Sequence, residues 1–209
     1  MKLYVLPPSP RALKVIALKN YLSLDCELQV VDLGKDEHRT AEFTALNPNQ
    51  KMPVLVDEEF VLWESNAILY YLAAKKPESG LWPAAPKGQA DVLRWLSWES
   101  AHWDAQACGA IGFERGSKRV LRLGAPDPAH IARGEQEFHR CAAVLNDHLH
   151  SRQWLSGDEL TIADFAIGAW LAVAHPFQLP VAPYPEILRW YEGLAALPAW
   201  QASLVRPPG

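Results

Sequence analysis

Pro53-Val-Leu-Val-Asp-Glu-Glu-Phe-Val-Leu-Trp-Glu-Ser-Asn-Ala-Ile-Leu-Tyr-Tyr-Leu72 is the stretch whose reading decides the fold. Pro53-Val-Leu-Val56 and Phe60-Val-Leu-Trp63 flank the acidic turn Asp57-Glu58-Glu59. That is a hairpin pattern, so two antiparallel strands are expected. Proline cannot donate a ladder bond, so Pro53 belongs at a strand start or in a special turn. From Ser65 the period changes: Ala67, Ile68, Tyr71 and Leu72 fall at helical spacing, and Ser65 reads as the helix cap.

Upstream, the same alternation continues. Lys2–Leu6 is a short apolar strand candidate that ends at prolines. Ser9-Pro10 reads as N-cap followed by proline at the first helical position, opening a helix through Leu13, Ile16 and Ala17 to about Leu22. Glu27–Val31 reads as a strand, Lys35–Thr40 as loop, and Glu42–Leu46 as a short helix before Asn47-Pro48. The order is therefore β-α-β-α-β-β-α, an α/β domain over residues 1–76. Residues 77–87 form a Pro-rich linker. Beyond it the strand signal disappears. Val92, Leu96 and Trp103 start one helical stripe; Ile131, Phe138, Ala142, Leu145 and Leu149 make a second. Ile162, Phe165, Ala166, Ala169 and Val173 make a third, and Tyr184–Leu194 reads as a fourth helix. Residues 88–209 are thus expected to be an all-α domain.

The chain has 209 residues, 49% hydrophobic and 21% charged, with a formal charge of −4, a globular composition without a Lys/Arg cluster. That balance argues against nucleic acid as a partner. No run approaches the ~20 apolar residues of a membrane span, and the N-terminus lacks an apolar signal core. Cys26, Cys108 and Cys141 are odd in number and widely spaced, which suggests reduced thiols and a cytoplasmic location. Neither a Gly-rich phosphate loop, a Cys-x-x-Cys pair nor a Gly-x-Ser-x-Gly elbow occurs. No metal is expected, because Glu99-x-x-His102 is a single pair where a di-metal bundle needs two.

Three local features carry possible chemistry. Ser9 is either a helix cap or a hydroxyl that donates to a thiolate at the start of the helix. In Asn47-Pro48-Asn49-Gln50-Lys51-Met52-Pro53-Val54, a cis Met52–Pro53 bond turns the Met52 backbone outward for an extended peptide; the alternative is an ordinary turn. Glu64-Ser65 is either a cap with a solvated carboxylate, or an ammonium site beside a carboxylate site at a helix N-terminus, which suits an α-amino acid.

Together these pieces resemble the soluble glutathione transferase family. The likeness runs from Ser9-Pro-x-x-x-Lys-Val15, through Asn47-Pro-x-x-Lys-x-Pro-Val-Leu55, to Glu64-Ser-x-Ala-Ile-x-x-Tyr-Leu72. It extends to Leu155-Ser-Gly-Asp-Glu-Leu-Thr-Ile-Ala-Asp-Phe165, where Thr161 and Asp164 look like a capping box of the helical core. The resemblance implies a thioredoxin-like N-terminal domain and a helical domain that supplies a pocket for the electrophile. It implies an enzyme of the bacterial-like, Ser-type kind that binds glutathione as co-substrate, stabilises its thiolate and conjugates it to a small hydrophobic electrophile, as in detoxification. Ser9 then matches the catalytic residue, with Tyr4 the runner-up. Met52 matches the backbone partner of the cysteinyl unit, Glu64 and Ser65 the binders of the γ-glutamyl group, and His38 and Lys51 the polar positions near the glycyl carboxylate. Trp98, Trp103, Phe113 and Arg115 are candidates to line the second pocket, and His102 to face glutathione. A homodimer is implied. Two other readings stay open: glutathione-dependent peroxide or disulfide reduction, and a non-catalytic binding or dimerisation module. Gln50 stands where many relatives have glycine, and no Cys follows the first strand.

Overall fold

Strand β1 (Lys2–Val5) alternates in burial, with Leu3 and Val5 fully buried and Lys2 and Tyr4 half-buried. One face of the sheet is therefore sealed by helices α1 (Pro10–Tyr21) and α3 (Ser65–Ala74), whose apolar residues Val15, Ala17, Leu18, Ile68, Leu69 and Leu72 are buried. On the other face Phe43 of α2 (Ala41–Leu46) packs with Val31 and Val54, joined by Tyr4, Leu46, Met52 and Val61. The remaining strands are β2 (Glu27–Val30), β3 (Val54–Asp57) and β4 (Phe60–Trp63). The computed structural model describes residues 1–7 and 9–204.

The sheet order is β2-β1-β3-β4, with β1 and β2 parallel and the pairs β1/β3 and β3/β4 antiparallel. This is the β-α-β-α-β-β-α order expected from the sequence, in a thioredoxin-like arrangement, followed among the described residues by helices alone. Differences are local. Pro53 precedes β3, whose pairing starts at Val54, because proline has no N–H to give the ladder. The polar stretch before α2 holds two 3₁₀ turns, Leu33–Lys35 and Glu37–Arg39. Thr40 then caps α2, its Oγ1 accepting from the Phe43 amide at 3.2 Å. Ser65 is the first residue of α3, and Glu64 occupies the cap position.

Two compact units emerge, one formed by Met1–Ser79 with the segment from Ala196 onward, the other by Gly80–Ala195. Helix α11 (Pro198–Leu204) packs on α1 in the first unit, where Trp200 is fully buried. In the second unit α4 (Pro86–Trp98) runs on through a π-helical stretch, Glu99–Cys108, into α5 (Gly109–Gly112), a second π-helical stretch, Phe113–Ser117, and α6 (Lys118–Val120). Helix α7 (Pro128–Leu149) buries Phe138, Cys141, Ala142, Leu145 and Leu149. The stripe from Ile162 to Val173 is divided into α8 (Ile162–Gly168) and a 3₁₀ turn, Leu171–Val173, then α9 (Ala174–Phe177). Helix α10 (Pro185–Ala195) completes the unit. Thr161 and Asp164 do form a capping box. Fully buried Asp164 accepts from the Leu155 amide at 3.0 Å, the Thr161 amide at 2.9 Å, the Thr161 hydroxyl at 3.1 Å and Trp190 Nε1 at 2.9 Å.

Candidate active site

The register brings the separate motifs to one end of the sheet. Tyr4 of β1 faces Val54 of β3, and Val54 faces Trp63 of β4. The C-terminal end of β1, the N-terminal end of β3 and the C-terminal end of β4 therefore coincide. Ser9 follows the first, Met52 precedes the second, and Glu64 and Ser65 follow the third. Because β2 runs parallel to β1, the segment that leads to His38 leaves from the same end. Ligands of open α/β sheets gather at the carboxyl ends of parallel strands.

Ser9 is the N-cap residue of α1, with φ −62° and ψ 129°, yet its hydroxyl makes no capping bond. The backbone caps instead: the Ser9 carbonyl accepts from the Ala12 amide at 3.0 Å and the Leu13 amide at 2.9 Å, and the Ser9 N–H donates to the Leu6 carbonyl at 2.8 Å. Half-buried Ser9 thus keeps its hydroxyl for another partner at the positive end of a helix. Tyr4 is used differently. Its ring packs edge-on to Phe43 at 6.0 Å within the apolar cluster under the sheet.

The Met52–Pro53 peptide is cis. Met52 packs its side chain on the Val31, Phe43 and Val54 cluster, and its backbone lies outside the β3 ladder, which begins two residues later. Backbone groups left out of a ladder are what strand-like peptide recognition uses. Lys51 beside it is exposed. His38 is 8% exposed and its Nδ1 is buried without a protein partner.

Glu64 adopts φ 72° and ψ 111°, outside the left-handed helical well, and its side chain makes no capping bond. A non-glycine residue in so sparse a region costs on the order of 1–3 kcal/mol, and such residues cluster at functional sites. The turn ends β4 and opens α3 directly, so exposed Glu64 immediately precedes the first amides of a helix. The Glu64 carbonyl already accepts from the Ile68 amide at 3.0 Å. Ser65, 8% exposed, lies in the first turn. Lys14 adds a tie that the sequence reading did not weigh: its ammonium donates to Asn66 Oδ1 at 2.7 Å, joining α1 to the first turn of α3. Its signal was the Lys at a fixed offset from Ser9.

The proposed pocket residues all lie in the second unit. Trp103 is fully buried, with Nε1 donating to the Ile167 carbonyl at 3.2 Å and its ring against Phe138. Arg115 donates to the carbonyls of Phe177 and Gln178 at 3.0 and 2.7 Å and to Glu135 at 2.6 Å. Both are committed to the fold of the helical unit. Trp98 is half-buried, Phe113 is 37% exposed, and His102 has a buried Nδ1 without a partner. Among the described residues no group of three or more His, Cys, Asp or Glu side chains is placed to hold a metal. No described helix is long and apolar enough to cross a membrane. Cys26, Cys108 and Cys141 are buried free thiols; burial pushes all three above the ordinary thiol value.

Residues 1–74 match the glutathione S-transferase N-terminal domain, and residues 128–193 match the glutathione S-transferase C-terminal domain. The chain belongs to the glutathione S-transferase family. Among its relatives in the family is glutathione S-transferase 3 of Zea mays, 35% identical over 213 residues, covering 100% of this chain and 95% of that protein. Another is disulfide-bond oxidoreductase YfcG of Escherichia coli, 32% identical, covering 95% of this chain and 92% of that protein. Among solved glutathione S-transferases, the Pseudomonas putida glutathione transferase with one glutathione disulfide bound per subunit superposes with a TM-score of 0.88 at 28% identity, over 99% of this chain and 91% of that one.

Proposed function

We propose that this member of the family binds glutathione at the carboxyl end of the sheet, stabilises its thiolate and transfers the sulfur to a small hydrophobic electrophile. One observation carries the reading: a serine at a helix N-terminus keeps an uncommitted hydroxyl, at the same end of the sheet as an unladdered backbone and a strained Glu-Ser turn. Glu64 pairs with the γ-glutamyl ammonium, and Ser65 with the first amides of α3 holds its carboxylate. Met52 offers its backbone to the cysteinyl unit. His38 and Lys51 meet the glycyl end.

Ser9 acts as the catalytic residue by donating to the sulfur, which favours the thiolate, the nucleophilic form. The thiolate then attacks the electrophilic carbon. A C–S bond forms, a leaving group such as halide departs with its electron pair, and the thiol proton goes to solvent. The glutathione-binding part lies in residues 1–76 and the helical part supplies an apolar pocket. The protein works in the cytosol, as its free thiols suit. It works as a homodimer, for which the edge strand β4 offers exposed Phe60 and Trp63; light scattering should give about twice 23.3 kDa.

The relative named as a disulfide-bond oxidoreductase supports a second reading, reduction of disulfides by glutathione. Calorimetric titration with glutathione, followed by turnover of a generic aryl halide and of a small mixed disulfide, tests both. Binding with aryl-halide turnover supports conjugation, and disulfide turnover alone replaces it with reduction. A folded protein that does not bind glutathione overturns both and leaves a non-catalytic module.

A further inference from the structure

Asn47 is 3% exposed, and its polar groups are bonded within the loop that leads to Met52. Its N–H donates to the Phe43 carbonyl at 2.9 Å, and its carbonyl accepts from the Gln50 amide at 2.9 Å. Its Oδ1 accepts from the amide and the Nδ2 of Asn49, both at 3.0 Å, while its own Nδ2 donates to the Lys51 carbonyl at 2.7 Å. Two donors on one side and a carbonyl on the other leave a single orientation for the Asn47 amide. Gln50 holds the left-handed position of the turn at φ 56° without being glycine, and its side chain donates to Thr44 Oγ1 at 3.3 Å. The turn is thus braced from inside.

The Lys51 carbonyl and the Met52 N–H belong to the same planar peptide unit, which is trans. In such a unit the oxygen and the hydrogen point to opposite sides. A side chain that draws the carbonyl inward therefore turns the N–H away from itself. We propose that Asn47 is a positioning residue: by holding the Lys51 carbonyl it fixes the direction in which Met52 offers its N–H to the cysteinyl backbone of glutathione. The inference rests on the reading that the protein binds glutathione through Met52. Without the Asn47 donor, the carbonyl of Lys51 lacks its buried partner and the peptide plane is free to rotate toward water, carrying the Met52 N–H with it.

Asn47→Asp is the sharpest variant. It keeps the size of the side chain and the acceptor for Asn49, but sets a carboxylate oxygen against the Lys51 carbonyl. By calorimetry its affinity for glutathione should fall on the order of tenfold. In turnover the KM for glutathione should rise by a similar factor while kcat at saturating glutathione changes little, a split that a general loss of folded protein does not produce. Asn49→Ala leaves the Asn47–Lys51 bond in place and should bind as wild type does. In isotope-labelled wild-type protein, the Met52 amide should gain protection from hydrogen exchange when glutathione is added, which tests the contact that Asn47 orients; where Asn47→Asp does not fold, Asn47→Ala, which removes the same donor to Lys51, is read in the same titration. Wild-type affinity in folded Asn47→Asp, or a Met52 amide untouched by bound glutathione, overturns the proposal. A wild-type protein that fails to bind glutathione in the same titration overturns the functional reading, and this one with it.

Discussion

Replacing Ser9 by alanine separates a helix cap from a catalytic hydroxyl, because the two roles predict opposite patterns of loss. A side chain that caps a helix contributes about 0.5–2 kcal/mol of stability. Here the hydroxyl makes no such bond. The bonds that do close the first turn, Ala12 and Leu13 amides to the Ser9 carbonyl and the Ser9 N–H to Leu6, belong to the backbone and survive the change. Pro10 at the first helical position has no N–H, so the helix start already carries one orphan amide fewer. Ser9→Ala should therefore cost less than about 0.5 kcal/mol in a urea or thermal melt. The chemistry should suffer far more. A hydrogen bond to a charged group is worth roughly 1.5–3 kcal/mol, and one pKa unit corresponds to about 1.4 kcal/mol. The thiol of bound glutathione should then titrate about one to two units higher than in wild type. At any pH below that titration, the rate of conjugation should drop by roughly tenfold per unit, since it follows the thiolate fraction. The assay is thiolate absorbance of bound glutathione against pH in wild type, Ser9→Ala and Tyr4→Phe, with a melt of each. A large fall in the melt with an unmoved titration would make Ser9 a cap. A titration that moves only for Tyr4→Phe would make Tyr4 the activating residue, against its packing on Phe43.

Three further outcomes follow from the same structure. Glu64→Ala should weaken glutathione binding about tenfold or more by calorimetry, since it removes a charge-assisted bond to the ammonium; equal affinity in a folded variant would remove Glu64 from the site. Asp164→Ala should lower stability by roughly 3–5 kcal/mol in urea, because Leu155, Thr161 and Trp190 donors are left buried and unpaired; a loss below about 1 kcal/mol would mean that the hub is dispensable. Glu114 accepts from the Asp127 amide, Lys118 and His130, each at 2.7 Å, which holds its carboxyl well below its ordinary value of 4.5, at about 2. A depressed carboxyl stabilises the fold fully above the unfolded value and loses that contribution as pH falls through the folded one. The stability gap between wild type and Glu114→Gln should thus be constant near neutral pH and shrink between about pH 4.5 and pH 2; a gap that widens with acid would contradict the assignment.

The order of elements was legible in the sequence because it depends on local periodicity and on turn chemistry. The acidic turn between two short apolar runs became the β3–β4 hairpin, and the Thr161–Asp164 spacing became a capping box. What local pattern cannot carry is the pairing of strands distant in the chain. Only the β1–β3 register places Ser9 and Met52 at one end of the sheet, and only the backbone conformation shows that Ser9 leaves its hydroxyl out of the cap and that Glu64 takes the cap position expected of Ser65. Helical spacing alone reads a residue such as Trp103 as core. Trp103 and Arg115 are pocket candidates only through the resemblance, while packing and carbonyl contacts hold both within the helical unit. The last helix shows the same limit: the sequence reading stops at Tyr184–Leu194, whereas α11 and its packing on α1 appear only in three dimensions. Asn47 was quoted in the sequence as part of a turn motif, but its grip on the Lys51 carbonyl became visible only in three dimensions, since a side-chain amide acquires a role only when a donor and an acceptor are folded to opposite sides of it.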